Sequence, residues 1–286
     1  MYTAKVQKES GSPLTLTGRE PEWQIVHIQG LNPPSAQINL TNIVGLDGAK
    51  FNSAKLNTRN IVITLRLNGD VEGNRQSLEN YFTTKETCRF FFKDANRDVF
   101  IDGIVENVEC DPFTMSELMQ ISIICPQPLF RKAQATVVNI SDSENGFYFP
   151  FSIDMDDPIV FSTYNAAGQK DLANDSDSET GLEIAVRIDT SVDSLKIANL
   201  TTNELIDLEY VFLSGDEIYI NTRPGEKTVT LTRDSNTISL FSALTADSVL
   251  FGLAPGTNTV NYLADNGADN DDVQVIVSYN VQYRGI

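Results

Sequence analysis

The chain has 286 residues, 41% of them hydrophobic, and a formal net charge of −18 at pH 7. This length suits two domains of about 140 residues, each large enough to bury a core without disulfides or metal. A charge this negative argues against nucleic acid as a partner, because acidic surfaces and phosphates repel each other.

The charge is divided unevenly along the chain. Residues 1–137 contain 14 Lys and Arg against 15 Asp and Glu, a net of −1. Residues 138–286 contain 7 against 24, a net of −17. A nearly neutral surface can pack against copies of itself at little Coulomb cost, whereas an acidic one repels its own kind and stays solvated. We therefore expect the two halves to have different neighbours.

Targeting, membrane-spanning and disulfide signals are not expected. Residues 1–10 lack the apolar core of a secretory signal, and no apolar run approaches the roughly 20 residues that span a bilayer. Cys88, Cys110 and Cys125 are odd in number and contain no CxxC pair. We expect free thiols that act as small buried hydrophobes, in a soluble protein made in a reducing cytoplasm.

Alternation of apolar and polar residues is the dominant pattern along the chain. Such alternation is typical of antiparallel strands with one solvated face. Breaks rich in Gly, Asn and Asp separate the alternating segments. The clearest segments are 60–67, 183–189, 228–232 and 273–283. The predicted fold class is therefore all-β with one helix.

The single predicted helix lies between two of these segments. Leu78, Tyr81 and Phe82 are spaced by three and four residues, and Asp70 is a suitable N-cap. The spacing predicts an amphipathic helix over residues 71–86 that lies across a sheet.

Two prolines, Pro126 and Pro128, mark the predicted domain boundary, because neither can donate a hydrogen bond to a sheet ladder. A further strand over 133–140 either links the two halves or opens the second. The predicted domains are residues 1–137 and 138–286.

The sequence contains no recognisable pattern for catalysis. Its single histidine, His27, lies in a strand-like run, and we interpret it as a half-buried strand residue. One histidine and three scattered cysteines give no zinc-ligand spacing. The stretch Gly45–Lys50 lacks the length and the terminal Ser or Thr of a phosphate-binding loop. We therefore assign no catalytic, cofactor-binding or metal-ligating residue and expect no enzyme activity.

Several acidic loops invite comparison with calcium sites. Asp94–Asp98 begins like an EF-hand loop, but Val99 occupies the glycine position and the glutamate at position twelve is missing. Three other acidic loops are Asp154–Asp157, Asp171–Glu179 and Asp265–Asp272. We expect them to be solvated, and a weak structural calcium ion is the alternative.

A series of short motifs follows one order along nearly the whole chain. In the first half they are Trp23–Pro34, Asp47–Asn52, Arg59–Leu65, Gly69–Asp70, Arg75, Leu78, Tyr81–Phe82, Gly103–Glu109 and Gln120–Phe130. In the second half they are Asn199–Leu205, Ile220–Thr222, Gly225–Lys227, Pro255–Asn258 and Tyr283–Ile286. Each motif is weak alone, but their order and spacing together resemble the phage distal tail protein family, the siphovirus-type tail component.

This resemblance implies an N-terminal split β-barrel, similar to tail-tube proteins, and a C-terminal galectin-like β-sandwich. It implies a homo-hexameric ring at the virion tail tip, between the tail-tube protein and the tail-associated hub protein, with a central channel for DNA. In many such phages the ring also helps to hold receptor-binding proteins. Synthesis in the host bacterial cytoplasm is implied, without specific nucleic-acid binding or membrane insertion.

Two other functions remain open. A tail-tube subunit would share the barrel. A glycan-binding surface adhesin would stack a sugar on Tyr210, Phe212, Tyr219 or Tyr262, although these aromatics also suit core or edge positions of a sandwich. Recognition of the tube or hub is expected from barrel loops, including the excursion Asn42–Thr58.

Overall fold

A computed structural model describes residues 3–8, 12–17, 22–45, 47–110, 117–141, 168–265 and 273–286. The chain packs as two compact units: unit 1, Met1–Gln134 with Gln282–Ile286, and unit 2, Ala135–Val281. The chain therefore leaves unit 1, builds unit 2, and returns to unit 1 with its last five residues. The assignment of a ring-forming domain to residues 1–137 and an acidic sandwich domain to 138–286 remains a prediction.

Strands dominate the regular secondary structure of the described residues. In chain order the first elements are β1 (Thr3–Lys8), β2 (Leu14–Thr15), β3 (Trp23–Gln29), β4 (Ala36–Asn42), β5 (Ala49–Leu56), β6 (Arg59–Leu67), α1 (Val71–Tyr81), β7 (Thr87–Lys93), β8 (Asp98–Cys110), β9 (Leu118–Cys125) and β10 (Phe130–Lys132). They continue with β11 (Thr136–Asn139), β12 (Gly168–Asn174), β13 (Thr180–Gly181), β14 (Glu183–Ile188), β15 (Val192–Asn199), β16 (Glu204–Phe212), β17 (Glu217–Asn221), β18 (Thr228–Arg233), β19 (Asn236–Ser239), a 3-10 turn (Phe241–Ala243), β20 (Gly252–Leu253), β21 (Gly256–Asp265), β22 (Val273–Tyr279) and β23 (Gln282–Tyr283). The prediction of an all-β fold with one helix is confirmed.

Unit 1 is built on one antiparallel sheet in the order β2-β1-β7-β8-β9-β6-β3, and β10 pairs with β8 and β23. The alternation predicted for residues 60–67 is confirmed, since Ile61, Ile63, Leu65 and Leu67 of β6 are all fully buried. Among the described residues this path of pairings is open between β2 and β3. The barrel part of the predicted fold is therefore not confirmed.

Helix α1 begins where predicted and ends five residues early. Asp70 caps it, and its side chain accepts a hydrogen bond from the first turn. The predicted end at residue 86 is wrong, because Phe82 is the C-cap, with φ −94° and ψ 69°. Lys85, beyond the cap, has a φ of 74° and donates its backbone N–H to the Val105 oxygen at 2.8 Å, so the helix does not resume there. Within the described ranges, no helix has the length and hydropathy needed to cross a membrane.

Unit 2 is a β-sandwich. One sheet has the order β11-β22-β14-β17-β18-β19 and the other β12-β21-β15-β16, and their buried residues form one hydrophobic cluster. Alternation correctly predicted the buried faces of β14, β18 and β22. The segment predicted as one strand over 273–283 is divided: β22 ends at Tyr279, and residues 282–283 pair with β10 in unit 1. A likeness to galectins remains a prediction.

Candidate assembly surface

A two-stranded hairpin, β4 and β5, forms a sheet of its own in unit 1. Every residue of both strands is exposed, on both faces of the ribbon. A hairpin with neither face buried gains little from packing and is marginal alone in water. Its exposure is therefore the first sign that another molecule covers it.

The two faces of this hairpin differ in chemistry. Partners across the ribbon share a face, and the register brings three apolar pairs together on one face, next to the Asn42–Ala49 pair near the turn. The apolar pairs are Ala36–Leu56, Ile38–Ala54 and Leu40–Phe51. Ile38, Leu40 and Phe51 are 58%, 57% and 60% exposed. We call these six residues the apolar hairpin face.

The opposite face of the hairpin is polar. Its cross-strand pairs are Gln37–Lys55, Asn39–Ser53 and Thr41–Lys50. Asn39 donates its side-chain amide to the Ser53 hydroxyl at 3.4 Å, and Asn52 donates to the Thr41 hydroxyl at 2.6 Å. These side chains satisfy one another and suit solvent. One solvated and one apolar face is the pattern of a ribbon that lays its apolar side on a partner.

The sequence explains the turn of the hairpin. Gly45 and Gly48 have φ values of +85° and +89°, a conformation that favours glycine. Val44, at the turn, is fully exposed. Both glycines belong to the stretch Gly45–Lys50, which lacks the features of a phosphate loop, and β5 begins within it at Ala49.

The excursion predicted as Asn42–Thr58 covers only part of this surface. Sequence reasoning missed β4, although Ile38 and Leu40 alternate with polar neighbours there. The signal was available in that alternation. Alternation could not show that the described residues of unit 1 leave the apolar face exposed.

The net charges of the two units differ even more than those of residues 1–137 and 138–286. With Arg284 counted in unit 1, that unit has 15 basic and 15 acidic residues, a net of zero. Unit 2 then has 6 basic and 24 acidic residues, a net of −18. The apolar hairpin face is thus carried by the neutral unit, on which self-association costs least.

The residues considered for chemistry are placed apart from this surface. His27 lies in strand β3 as predicted, but it is exposed, so the half-buried interpretation is wrong. A β-bulge between Ile25 and His27, in the pairing of β3 with β6, changes the direction of the His27 side chain. His27 lines an apolar cavity of about 380 Å³ together with Ile28, Leu31 and Ile286.

The three cysteines are free thiols. Cys88 and Cys125 are buried, and burial raises their thiol pKa values to about 11 and about 12. They act as small hydrophobes, as predicted, whereas Cys110 is only partly buried.

The acidic loops show no gathered carboxylates where they are described. Asp94 accepts the backbone N–H groups of Asn96 and Arg97, each at 2.6 Å, and these bonds lower the pKa of its carboxyl. It stabilises the β7–β8 turn. Across the described ranges no cluster of three or more potential metal ligands occurs. Asp154–Asp157 and residues 266–272 lie outside the described residues.

The four aromatics considered for sugar stacking divide into two pairs. Phe212 and Tyr262 are buried in the sandwich core, at 0% and 1% exposure, and cannot stack on a ligand. Tyr219 is 40% exposed on the six-stranded sheet, and Tyr210 is half-buried. The guanidinium of Arg233 lies 5.9 Å from the Tyr210 ring centre and so occupies part of its surroundings.

Arg233 is held there by a buried carboxylate. Its Nε and Nη2 donate to the two oxygens of Asp216 at 2.7 and 2.5 Å, and Asp216 is 1% exposed. The bidentate bond lowers the pKa of Asp216. This pair is a structural contact between β18 and the turn before β17.

Comparisons with known proteins point to one group. Residues 175–283 match the family described as siphovirus-type tail component, C-terminal domain. No curated protein matches the chain. The crystal structure of phage SPP1 Dit (gp 19.1), described as a paradigm of hub adsorption apparatus in phages infecting Gram-positive bacteria, matches over 99% of both chains, with a TM-score of 0.69 and 13% identity.

Two further solved structures match the chain. The phage P2 baseplate in its activated conformation with Ca matches over 100% of both chains, with a TM-score of 0.57 and 10% identity. The same baseplate with Sr matches over 97% of this chain and 98% of that chain, with a TM-score of 0.54 and 10% identity. At these identities the structures show a shared fold. Residues 175–283 thus match the model of the siphovirus-type tail component C-terminal domain, and the chain shares its fold with SPP1 Dit.

Proposed function

We propose that this chain is a structural virion protein of the distal tail, without enzyme activity. Six copies form a ring that joins the tail tube to the tail-tip adsorption apparatus and leaves a central channel for DNA. Its partners are its own copies, the tail-tube protein, the tail-associated hub protein and, at the periphery, receptor-binding proteins. It is made in the host cytoplasm and functions at the virion tail tip.

The observation that carries this proposal is the apolar hairpin face on a chain with the Dit fold. Ring closure repeats one heterologous contact, in which a patch on each copy meets a different patch on the next. An exposed amphipathic ribbon is suited to such a contact, because it offers apolar area on one side and keeps a solvated side. The fold supports the tail assignment, and the hairpin supports assembly through unit 1.

The charges support the same proposal. Unit 1 has no net charge, so repetition of its contact around a ring carries little electrostatic cost. Unit 2, at −18, disfavours stacking of one acidic unit on another and keeps finished tail tips from associating with each other.

The two other functions predict different assemblies. A tail-tube subunit would stack into long tubes rather than stop at rings. A glycan-binding adhesin would leave unit 1 monomeric and would place an open aromatic in unit 2. Two of the four aromatics considered for sugar stacking are core residues, which weakens the adhesin hypothesis.

Deletion of Gly45–Ser53 tests the proposal in assembling particles. It removes the turn and most of β5, whose residues are all exposed, so unit 1 should fold while tails fail to complete. Asn39→Ala, on the polar face, is the matched control. The readout is the number of intact tails in negative-stain images of lysates from cells making either variant. Normal tails with the deletion would contradict an assembly role for the hairpin.

A further inference from the structure

A buried arginine lies beside the hairpin. Arg59, the first residue of β6, is 3% exposed, and its guanidinium lies 4.4 Å from the Phe130 ring centre. Four backbone carbonyl oxygens accept hydrogen bonds from it. They belong to Gly30, Asn32 (2.7 Å), Pro128 (2.7 Å) and Arg284 (2.6 Å). Burial lowers the pKa of Arg59, because it removes the water that would stabilise the charged guanidinium. The four carbonyl oxygens stabilise that charge instead.

One of these four carbonyls comes from beyond unit 2 in the sequence. Residues 282–286, which we call the strap, return to unit 1 after unit 2 is complete. Tyr283 pairs with Phe130, and the guanidinium of Arg97 lies 4.6 Å from the Tyr283 ring centre. Arg97 also donates to the Gly285 carbonyl. Two arginines, Arg59 of β6 and Arg97 of the β7–β8 turn, therefore bind the strap backbone.

The far end of the strap is packed closely. The Ile286 N–H donates to the Leu31 oxygen at 3.2 Å. A Cβ at Gly285 would lie 3.1 Å from both the Leu31 oxygen and Pro33 Cδ. Contacts this short leave little room for a side chain at that position. The Ile286 side chain forms one wall of the apolar cavity beside β3.

The partners between residues 30 and 33 lie at the root of the hairpin. Residues 30–35 connect β3 to β4, and residues 57–58 connect β5 to Arg59. Asn57 joins the two sides, with its N–H bonded to the Ser35 oxygen at 2.9 Å and its amide to the Ser35 hydroxyl at 3.1 Å. Arg59 binds one side of the root and the strap at once, and the strap binds the same side through Leu31.

We propose that residues 282–286 are a strap that locks the root of the β4–β5 hairpin, with Arg59 as the residue that joins strap to root. The strap follows unit 2 in the sequence, so the hairpin gains its fixed root only after unit 2 has been synthesised. The root that the strap locks carries the apolar hairpin face. The assembly role of that face rests on the proposed function; the locking itself does not.

Hydrogen–deuterium exchange of the full chain measures the lock directly. The variants are Arg59→Lys, which keeps the charge but loses the planar set of five donors, and deletion of residues 284–286, which removes the strap carbonyls. We expect exchange in peptides covering 30–35 and 56–60 to accelerate by about tenfold or more. Peptides of unit 2 should exchange as in the wild type. Arg66→Lys, an exposed arginine of the same strand, is the matched control and should change nothing.

Folding of each variant is checked independently. Trp23 is the only tryptophan of the chain and packs against the core of unit 1, so its fluorescence reports that unit alone. Native-like fluorescence with accelerated exchange at the root supports the strap. Unchanged exchange at the root in both variants would overturn it.

Ring formation by the wild type, measured on the same preparations, tests the proposed function separately. A wild type that never assembles, combined with accelerated exchange in the variants, would refute the ring while the strap stands. Rings in the wild type, combined with unchanged exchange in the variants, would refute the strap while the ring stands.

Discussion

Replacement of the central pair of the apolar hairpin face, Leu40→Ser with Phe51→Ser, tests the assembly surface most sharply. The two residues are cross-strand partners, 57% and 60% exposed in the single chain. Complete burial of a Leu or Phe side chain is worth about 1.5–3 kcal/mol. Burial of the remaining exposed part of both is thus worth about 2–3.5 kcal/mol per contact. Since 1.4 kcal/mol is a factor of ten, each contact should weaken by about 30- to 400-fold.

The assay is sedimentation of the purified chain over a wide range of concentrations. The double variant should need a correspondingly higher concentration to assemble. Its free energy of unfolding should stay within about 0.5 kcal/mol of the wild type, because exposed side chains contribute little to the single chain. Asn39→Ala with Ser53→Ala, on the opposite face, is the control and should assemble normally. Equal concentration dependence of the double variant and the wild type would refute the reasoning.

Three further predictions address the fold that supports this surface. Gly30→Ala should cost unit 1 about 2–4 kcal/mol in urea unfolding, because φ is +86° and a Cβ would lie 2.1 Å from the Asn60 oxygen; a loss below about 0.5 kcal/mol would contradict this. Because Arg233 lowers the pKa of Asp216, the ionised carboxylate stabilises unit 2 above the ordinary Asp pKa of about 3.9. That stabilisation is lost as the pH falls through the lowered pKa of the folded state. Asp216→Asn should therefore remove this part of the pH dependence of unit 2 stability, followed by circular dichroism in acid. An unchanged pH dependence would argue against the Asp216–Arg233 pair. Maleimide at pH 8 should label only Cys110, since the other two thiols are buried with raised pKa values; labelling of all three in the native protein would exclude this.

Strands buried on one face were predictable because their evidence is local. In β6, β14 and β22 an apolar residue recurs at every second position, and the residues of that series are buried, whereas apolar residues of the other face, such as Ile276, are not. The evidence for the helix N-terminus was also local, because Asp70 is its N-cap. The evidence for its C-terminus was not, because the chain leaves the helix at Phe82 and Lys85 then bonds to Val105, 20 residues away.

The assembly surface and the strap could not be predicted in the same way. Alternation in β4 identifies a face but not what covers it, and the same pattern describes a buried strand and an uncovered one. Arg59 looks like an ordinary surface residue at a strand start, yet its partner carbonyl at residue 284 is 225 positions away. The run 273–283 looked like one strand because the pattern continues, while the backbone leaves unit 2 in the middle of it.

The molar mass of the purified chain by light scattering, with negative-stain images of the same fraction, tests the central claim most directly. We expect a particle of six times the 31.6 kDa chain mass, seen as a ring with an open centre. A chain that stays monomeric at high concentration, both alone and with its tail tube, would contradict the ring.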